Sequence, residues 1–161
     1  MTVITDCCAD LPEVRLDPGT VVLAEGEKSG RLFILIEGEM QVLRGGSEVA
    51  TVTEPGSVFG EMSILLDVPH TASVKASRPT RAYLVEDAET FLRSAPDMLR
   101  HIGTLLAHRL QMATGYLADL KRQFAESRDH LAMVDEVLET LMHQQRRSFT
   151  PGSERESDPR L

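Results

Sequence analysis

The chain has 161 residues, 17 of them Lys or Arg and 25 Asp or Glu, and a formal net charge of −8. This length predicts one domain with an appendage, and 42% hydrophobic residues suffice for one core of ordinary size. The acidic balance argues against a nucleic-acid-binding surface, which carries a basic patch. No apolar run is long enough to span a membrane, and the first ten residues do not have the pattern of a signal peptide. Cys7 and Cys8 are adjacent and cannot form a disulfide framework, so we expect a cytoplasmic protein with inert, reduced thiols.

Residues 14–85 form a series of short β-type runs separated by turn signals. The apolar runs at residues 21–23 and 32–36 each precede a Glu-Gly pair, and residues 72–76 alternate between apolar and polar. Gly and Pro recur between the runs, and none of the spacers is a helix of the length that parallel strands require. We therefore expect a mainly β domain over residues 1–95, built as an antiparallel jelly-roll β-barrel.

Residues 59–66 interrupt this pattern, because their apolar residues fit a short helical turn better than a strand. A short helix that opens at Gly60 would direct its unsatisfied backbone N–H groups and its positive dipole end at whatever lies in front of it. Such a helix start is suited to binding an anion. A barrel-crossing loop in which Gly60 serves only a steric purpose explains the same residues, and the local pattern leaves both interpretations open.

The C-terminal part of the chain has the periodicity of helices from Asp97 to about Arg147. Its apolar residues recur at alternating spacings of four and three, at Leu106, Leu110, Ala113, Leu117, Leu120, Phe124, Leu131, Val134, Leu138 and Leu141. This heptad seam predicts a coiled coil that joins two chains, since at about 1.5 Å per residue such a helix extends beyond a small barrel. We expect one long helix over residues 96–147; the alternative is a helical hairpin in which Ser127 caps a second helix. Residues 148–161 have the composition of a disordered tail.

Two stretches of the chain resemble a known family. Residues 56–65 (GSVFGEMSIL) and 69–74 (PHTASV) resemble the phosphate-binding cassette of cyclic nucleotide-binding domains, with its glycine-rich entry, Phe-Gly-Glu, short helix and following Arg-Ser/Thr-Ala. Residues 109–114 resemble the central helix that pairs two subunits in bacterial catabolite activator proteins. The resemblance covers about residues 14–120 and implies a domain that binds cAMP or cGMP.

The resemblance also implies roles for the residues at the start of the short helix. Gly60 would open the helix, and the backbone N–H groups of Met62 and Ser63 would hold the cyclic phosphate. Glu61 would accept a hydrogen bond from the ribose 2′-hydroxyl. The barrel lining would supply an apolar wall for the purine.

The second half of the cassette departs from the family pattern at one position. Thr71, as a hydroxyl donor, and Ala72 match the family, but His70 stands where the family has a phosphate-binding arginine. A guanidinium offers a permanent charge and two parallel donors, whereas an imidazole with an ordinary pKa of about 6.5 offers one donor and part of a charge. Losing a charged partner costs about 1.5–3 kcal/mol, or roughly 10- to 150-fold in affinity. On the central helix, Thr114 matches a hydroxyl that reaches the adenine in the activator family.

These features predict a stand-alone regulatory module that binds cAMP or cGMP, forms a homodimer through its helical seam and signals to a partner protein. One alternative is a docking module that binds no nucleotide because of His70, and another is a repressor-like relative that acts by forming heterodimers. The residues after Leu120 have the pattern of further heptads and a tail, so we expect no DNA partner, and the lack of a long apolar run predicts no membrane partner. We find no nucleophilic triad, no catalytic carboxylate pair and no metal-ligand spacing, His101 and His108 included, and expect neither an enzyme nor a cofactor.

Overall fold

The computed structural model describes residues 6–124 and 128–143, and the chain divides into two compact units, Met1–Thr104 and Leu105–Leu161. The strands of the described residues are β1 (Glu13–Leu16), β2 (Val21–Leu23), β3 (Leu32–Glu37), β4 (Met40–Arg44), β5 (Ser47–Val52), β6 (Val58–Phe59), β7 (Ser73–Ala76) and β8 (Thr80–Val85). The helices are α1 (Glu61–Leu66), α2 (Ala88–Ser94), α3 (Pro96–Gln123) and α4 (Arg128–His143). Among the described helices, none combines the length and the hydropathy that crossing a lipid bilayer requires.

The eight strands form two four-stranded sheets, ordered β1-β8-β3-β6 and β2-β7-β4-β5, and every pairing is antiparallel. The predicted mainly β fold with antiparallel sheets and C-terminal helices is confirmed. The predicted closed barrel is not confirmed, because each sheet keeps two edge strands within the described residues. One of those edges, β6, pairs with β3 over only two residues before the chain turns into α1.

The core of the first unit is mainly aliphatic, with Phe33 and Phe59 as its aromatic members, and is centred on β3. Phe33 and Leu35 on one face of this strand join a buried cluster completed by Leu23, Met40, Phe59, Val74, Ala76 and Ala82. Leu32 and Ile34 point to the opposite face and are also fully buried. Both faces of β3 are therefore covered, which explains why residues 32–36 form a continuous apolar run and not an alternating one.

Cys8 lies fully buried in the first unit, and Cys7 beside it is half-buried. Burial, with a smaller contribution from Cys7, raises the pKa of the Cys8 thiol to about 11. Since the thiolate is the reactive form of cysteine, the Cys8 side chain is mostly in its unreactive form at neutral pH.

The expectation of one long C-terminal helix is wrong, because α3 ends at Gln123 and α4 begins at Arg128. An ion pair joins Lys121 of α3 to Asp135 of α4, two residues that a straight helix would hold about 21 Å apart. The two helices also line one apolar groove of about 430 Å³, formed by Leu117, Leu120, Lys121, Phe124, Met133, Val134 and Val137. Part of the heptad seam thus packs within a helical hairpin. Ser127 and residues 148–161 lie outside the described residues, so the cap and the tail stay predictions.

Candidate functional site

Gly60 forms the connection between β6 and α1, and its backbone has a φ of 97°. A Cβ atom on this residue would lie 2.6 Å from the carbonyl oxygen of Arg31 and 3.3 Å from Leu23 Cδ1. Glycine is therefore required twice, once for the left-handed conformation and once for the close approach of the two backbones. The short helix predicted to open at Gly60 is confirmed, and so is a steric purpose for this glycine.

The first turn of α1 holds the backbone groups that the sequence singled out. Glu61, Met62 and Ser63 follow Gly60, and the backbone N–H groups of Met62 and Ser63 lie in the first turn, ahead of the first hydrogen bond within the helix. Glu61 and Ser63 are buried, whereas the Met62 side chain is exposed. The Ser63 hydroxyl donates a hydrogen bond of 2.5 Å to the Val68 carbonyl, so its side chain closes the loop after the helix.

The far end of α1 is tied to the loop between β2 and β3. Asp67 ends the helix with a φ of 55° and forms an ion pair with Lys28. The Lys28 ammonium holds the pKa of the Asp67 carboxyl below its usual range. Between this loop and the helix lies a cleft of about 520 Å³, lined by Lys28, Gly30, Ser63, Ile64, Leu65, Asp67 and Glu89.

His70 is held by the same loop at three points. Its N–H donates to the Glu27 carbonyl at 2.8 Å, its carbonyl accepts from the Gly26 N–H at 2.9 Å, and its Nε2 lies 2.7 Å from Ser29 Oγ. The residue is only 5% exposed, and burial lowers the pKa of its imidazole while the charge of Glu27 acts in the opposite direction. The His70 ring is therefore mainly neutral at pH 7.

The remaining candidate residues lie in two places. Thr71 is exposed and Ala72 is half-buried, both immediately before β7. Seven of the eight candidate residues lie within residues 60–72 of the sequence, and their joint role in one site stays a prediction. Thr114 is half-buried on α3 in the second unit, and its contact with a purine stays a prediction.

The sequence analysis did not assign a role in the site to several residues that hold this segment in place. Ser29 contacts His70 across 41 positions of the chain, and Arg31 contributes the carbonyl that faces Gly60. His101, which lacks the spacing of a metal ligand, donates a hydrogen bond from Nε2 to the carbonyl of Gly56 at 3.0 Å. Gly56 lies just before β6. The periodicity of a local segment does not predict contacts with residues far away in the chain. The turn at Glu25-Gly26-Glu27 indicated only that the chain reverses direction at these residues.

The family model of the cyclic nucleotide-binding domain matches residues 13–93. The chain belongs to this family. The matched region runs from the first residue of β1 to Arg93 in α2, so it contains residues 60–72 in full. Its relatives and structural neighbours include proteins of the catabolite-activator type.

Three relatives show how far the similarity extends. The CRP-like cAMP-activated global transcriptional regulator of Mycobacterium tuberculosis is 33% identical over 116 residues, which are 68% of this chain and 52% of the regulator. The cGMP-dependent protein kinase egl-4 of Caenorhabditis briggsae is 38% identical over 74 residues, 46% of this chain and 10% of the kinase. The crystal structure of the Thermus thermophilus catabolite activator protein superposes with a TM-score of 0.61 at 24% identity, over 74% of this chain and 59% of that chain. The chain thus spans about half the length of the mycobacterial regulator and a small part of the kinase.

Proposed function

We propose that this chain is a regulatory domain that binds a cyclic nucleotide, cAMP or cGMP, at residues 60–72. The observation that carries the proposal is the start of α1, where Gly60 brings three successive backbone N–H groups to the positive end of a helix inside a domain of this family. One relative is named as cAMP-activated and another as cGMP-dependent, so both nucleotides are candidates.

The phosphate would be bound mainly by backbone groups. The N–H groups of Met62 and Ser63 would donate to its oxygens, and the helix dipole would favour its negative charge. His70 would contribute one neutral donor in place of the charged fork of an arginine. We therefore expect weaker binding than an arginine at this position would give.

The proposal is tested by calorimetric titration of the protein with cAMP and with cGMP, with 5′-AMP as the noncyclic control. We expect at least one cyclic nucleotide to bind and 5′-AMP to bind much more weakly, since the phosphate of 5′-AMP is not tied back to the ribose and differs in charge and shape from the proposed cyclic ligand. If neither cyclic nucleotide gives a heat of binding at millimolar concentration, the proposal is wrong.

The role of Glu61 is tested with the substitution Glu61→Ala. Its buried carboxylate would accept the ribose 2′-hydroxyl, so removing it should cost about 1–3 kcal/mol of binding free energy. A 2′-deoxy analogue lacks this hydroxyl and should bind both proteins almost equally. Glu61→Gln, which keeps the volume, serves as the control for a packing defect. Equal losses for the ribose and deoxyribose ligands would contradict the assigned role.

We further propose that the helical hairpin of α3 and α4 forms a homodimer. Several apolar side chains of the hairpin are exposed in the single chain: Leu110, Met112, Tyr116, Phe124, Met133 and Met142. Two helices cannot bury apolar faces of this extent by themselves, and a second hairpin offers a matching surface.

Sedimentation equilibrium at micromolar concentration tests this assembly, and we expect a mass of two chains. Phe124→Asp combined with Met133→Asp places two charges in the apolar groove and should give monomers. The matched control, His108→Asp combined with Gln111→Asp, adds the same charge at exposed polar positions and should remain dimeric. A wild-type protein that sediments as a monomer would contradict the proposed homodimer.

The proposed role is regulatory and not catalytic, and the ligand-bound domain would act on a protein partner. A transcriptional regulator and a protein kinase share this domain, while the aligned region covers only part of each. We infer that the shared part is the sensing part and that the remaining part of each relative carries its own effector.

A further inference from the structure

His70 has a defined side-chain orientation, because the backbone of the residue and one edge of its ring both form hydrogen bonds with one loop. The loop residues Gly26 and Glu27 hold the backbone, and Ser29 Oγ lies 2.7 Å from Nε2. The other ring nitrogen, Nδ1, forms no hydrogen bond with any residue that the structure describes. Only Nδ1 is therefore available to a ligand, while Nε2 is committed to Ser29.

The Ser29 hydroxyl lies within hydrogen-bond distance of His70 Nε2 and has a proton that it can donate there. Its Oγ accepts a hydrogen bond from the Arg31 N–H at 3.2 Å, which occupies one lone pair. A serine hydroxyl has a single proton to donate, and within the described residues His70 Nε2 is the acceptor that lies in reach of it. In a neutral imidazole one nitrogen accepts and the other carries the proton. If Nε2 accepts from Ser29, the proton of His70 resides on Nδ1.

We propose that Ser29 sets the tautomer of His70, so that the neutral ring presents its Nδ1–H to an anionic oxygen of the ligand. The identity of that oxygen, a cyclic phosphate oxygen, rests on the proposed function, whereas the tautomer does not. Burial of the ring disfavours the imidazolium, and a neutral N–H donor avoids the cost of creating a charge there. Ser29 acts through His70 and is a positioning residue.

The tautomer is read directly from long-range proton–nitrogen NMR spectra of ligand-free, ¹⁵N-labelled protein above pH 7. The chain has five histidines, and the signals of His70 are assigned as those lost in His70→Gln. We expect the Nδ1–H form in the wild type and in Ser29→Thr, which keeps the hydroxyl. In Ser29→Ala we expect a shift towards the Nε2–H form. An Nε2–H form in the wild type, or an unchanged Nδ1–H form in Ser29→Ala, would overturn the proposal.

Titration of the same variants with cAMP and cGMP measures the consequence for binding. Ser29→Ala should bind about 3- to 10-fold more weakly than the wild type, and Ser29→Thr should bind nearly as well. If Ser29→Ala lowers the affinity without changing the tautomer, the role of Ser29 is merely structural. If it changes the tautomer and the affinity stays the same, the ligand does not use Nδ1–H. Either result overturns the proposal. If the tautomer depends on Ser29 but even the wild type binds neither nucleotide at millimolar concentration, the proposed function fails and the assignment of the tautomer to Ser29 is supported.

Discussion

Replacing Gly60 with alanine is expected to lower the free energy of unfolding by about 2–4 kcal/mol and to abolish nucleotide binding. Two costs add at this position. The φ of 97° strains any residue with a Cβ atom, and that atom would lie 2.6 Å from the Arg31 carbonyl oxygen. Because a backbone carbonyl in a neighbouring strand connection cannot rotate away, the start of α1 must shift. That shift would displace the N–H groups that we propose to bind the phosphate.

Gly19→Ala is the matched control, because Gly19 has a φ of 91° and nothing lies within 4 Å of the Cβ position. It shares the conformational cost without the contact and should lose only about 1–2 kcal/mol. Urea denaturation of both variants measures the difference, and calorimetry measures the affinity. Equal destabilisation by the two substitutions would contradict the close approach of Gly60 to Arg31.

Replacing His70 with arginine is expected to tighten binding of cAMP or cGMP by about 10- to 150-fold at pH 8. A guanidinium is charged at every accessible pH and can donate two parallel hydrogen bonds to a phosphate. The wild-type imidazole is buried and mainly neutral, so it lacks both properties. The same substitution at an exposed position outside the site, His108→Arg, adds an equal charge and should leave the affinity unchanged. Weaker or unchanged binding by His70→Arg would show that position 70 does not face the phosphate.

The affinity of the wild type should also depend on pH, and His70→Arg should remove that dependence. Burial lowers the pKa of His70 in the free protein, whereas a bound anion beside the ring raises it in the complex. The complex therefore binds more protons than the free protein as the pH falls from about 8 to about 6, and linkage requires the affinity to rise over that interval. Titrations of the wild type and of His70→Arg at both pH values measure the effect. A flat profile for the wild type would show that His70 does not take up a proton when the anion binds.

The cassette was predictable because its residues are close in sequence. Gly60 and the apolar residues that follow it indicated a short helix after a turn, with a loop as the alternative, and the structure has α1 there. Strand alternation likewise predicted antiparallel pairing, since turn residues separate the runs by too few positions for parallel crossovers. The closed barrel was not predictable in this way, because closure depends on whether edge strands such as β6 pair with a further strand.

The C-terminal helices show where periodicity stops being informative. A heptad seam has the same spacing whether it packs against a second chain or against the following segment of its own chain. The interruption of the seam at Ser127 allowed a turn without requiring one. The ion pair between Lys121 and Asp135 shows that the chain folds back, and nothing in the seam itself predicts that pair.

The antiparallel β fold with C-terminal helices and the resemblance to cyclic nucleotide-binding domains were predictable from the sequence alone, because the runs, turns and motifs behind them are each local. The same kind of local pattern indicated a short helix at Gly60 but left a loop open. Tertiary structure alone decided that Arg31 faces Gly60, that Ser29 holds the ring of His70 and that α4 packs beside α3. These contacts join residues well separated in the chain. Their existence depends on how the sheets and helices pack, and the hydrophobic pattern of one segment does not specify which distant backbone or hydroxyl will meet it.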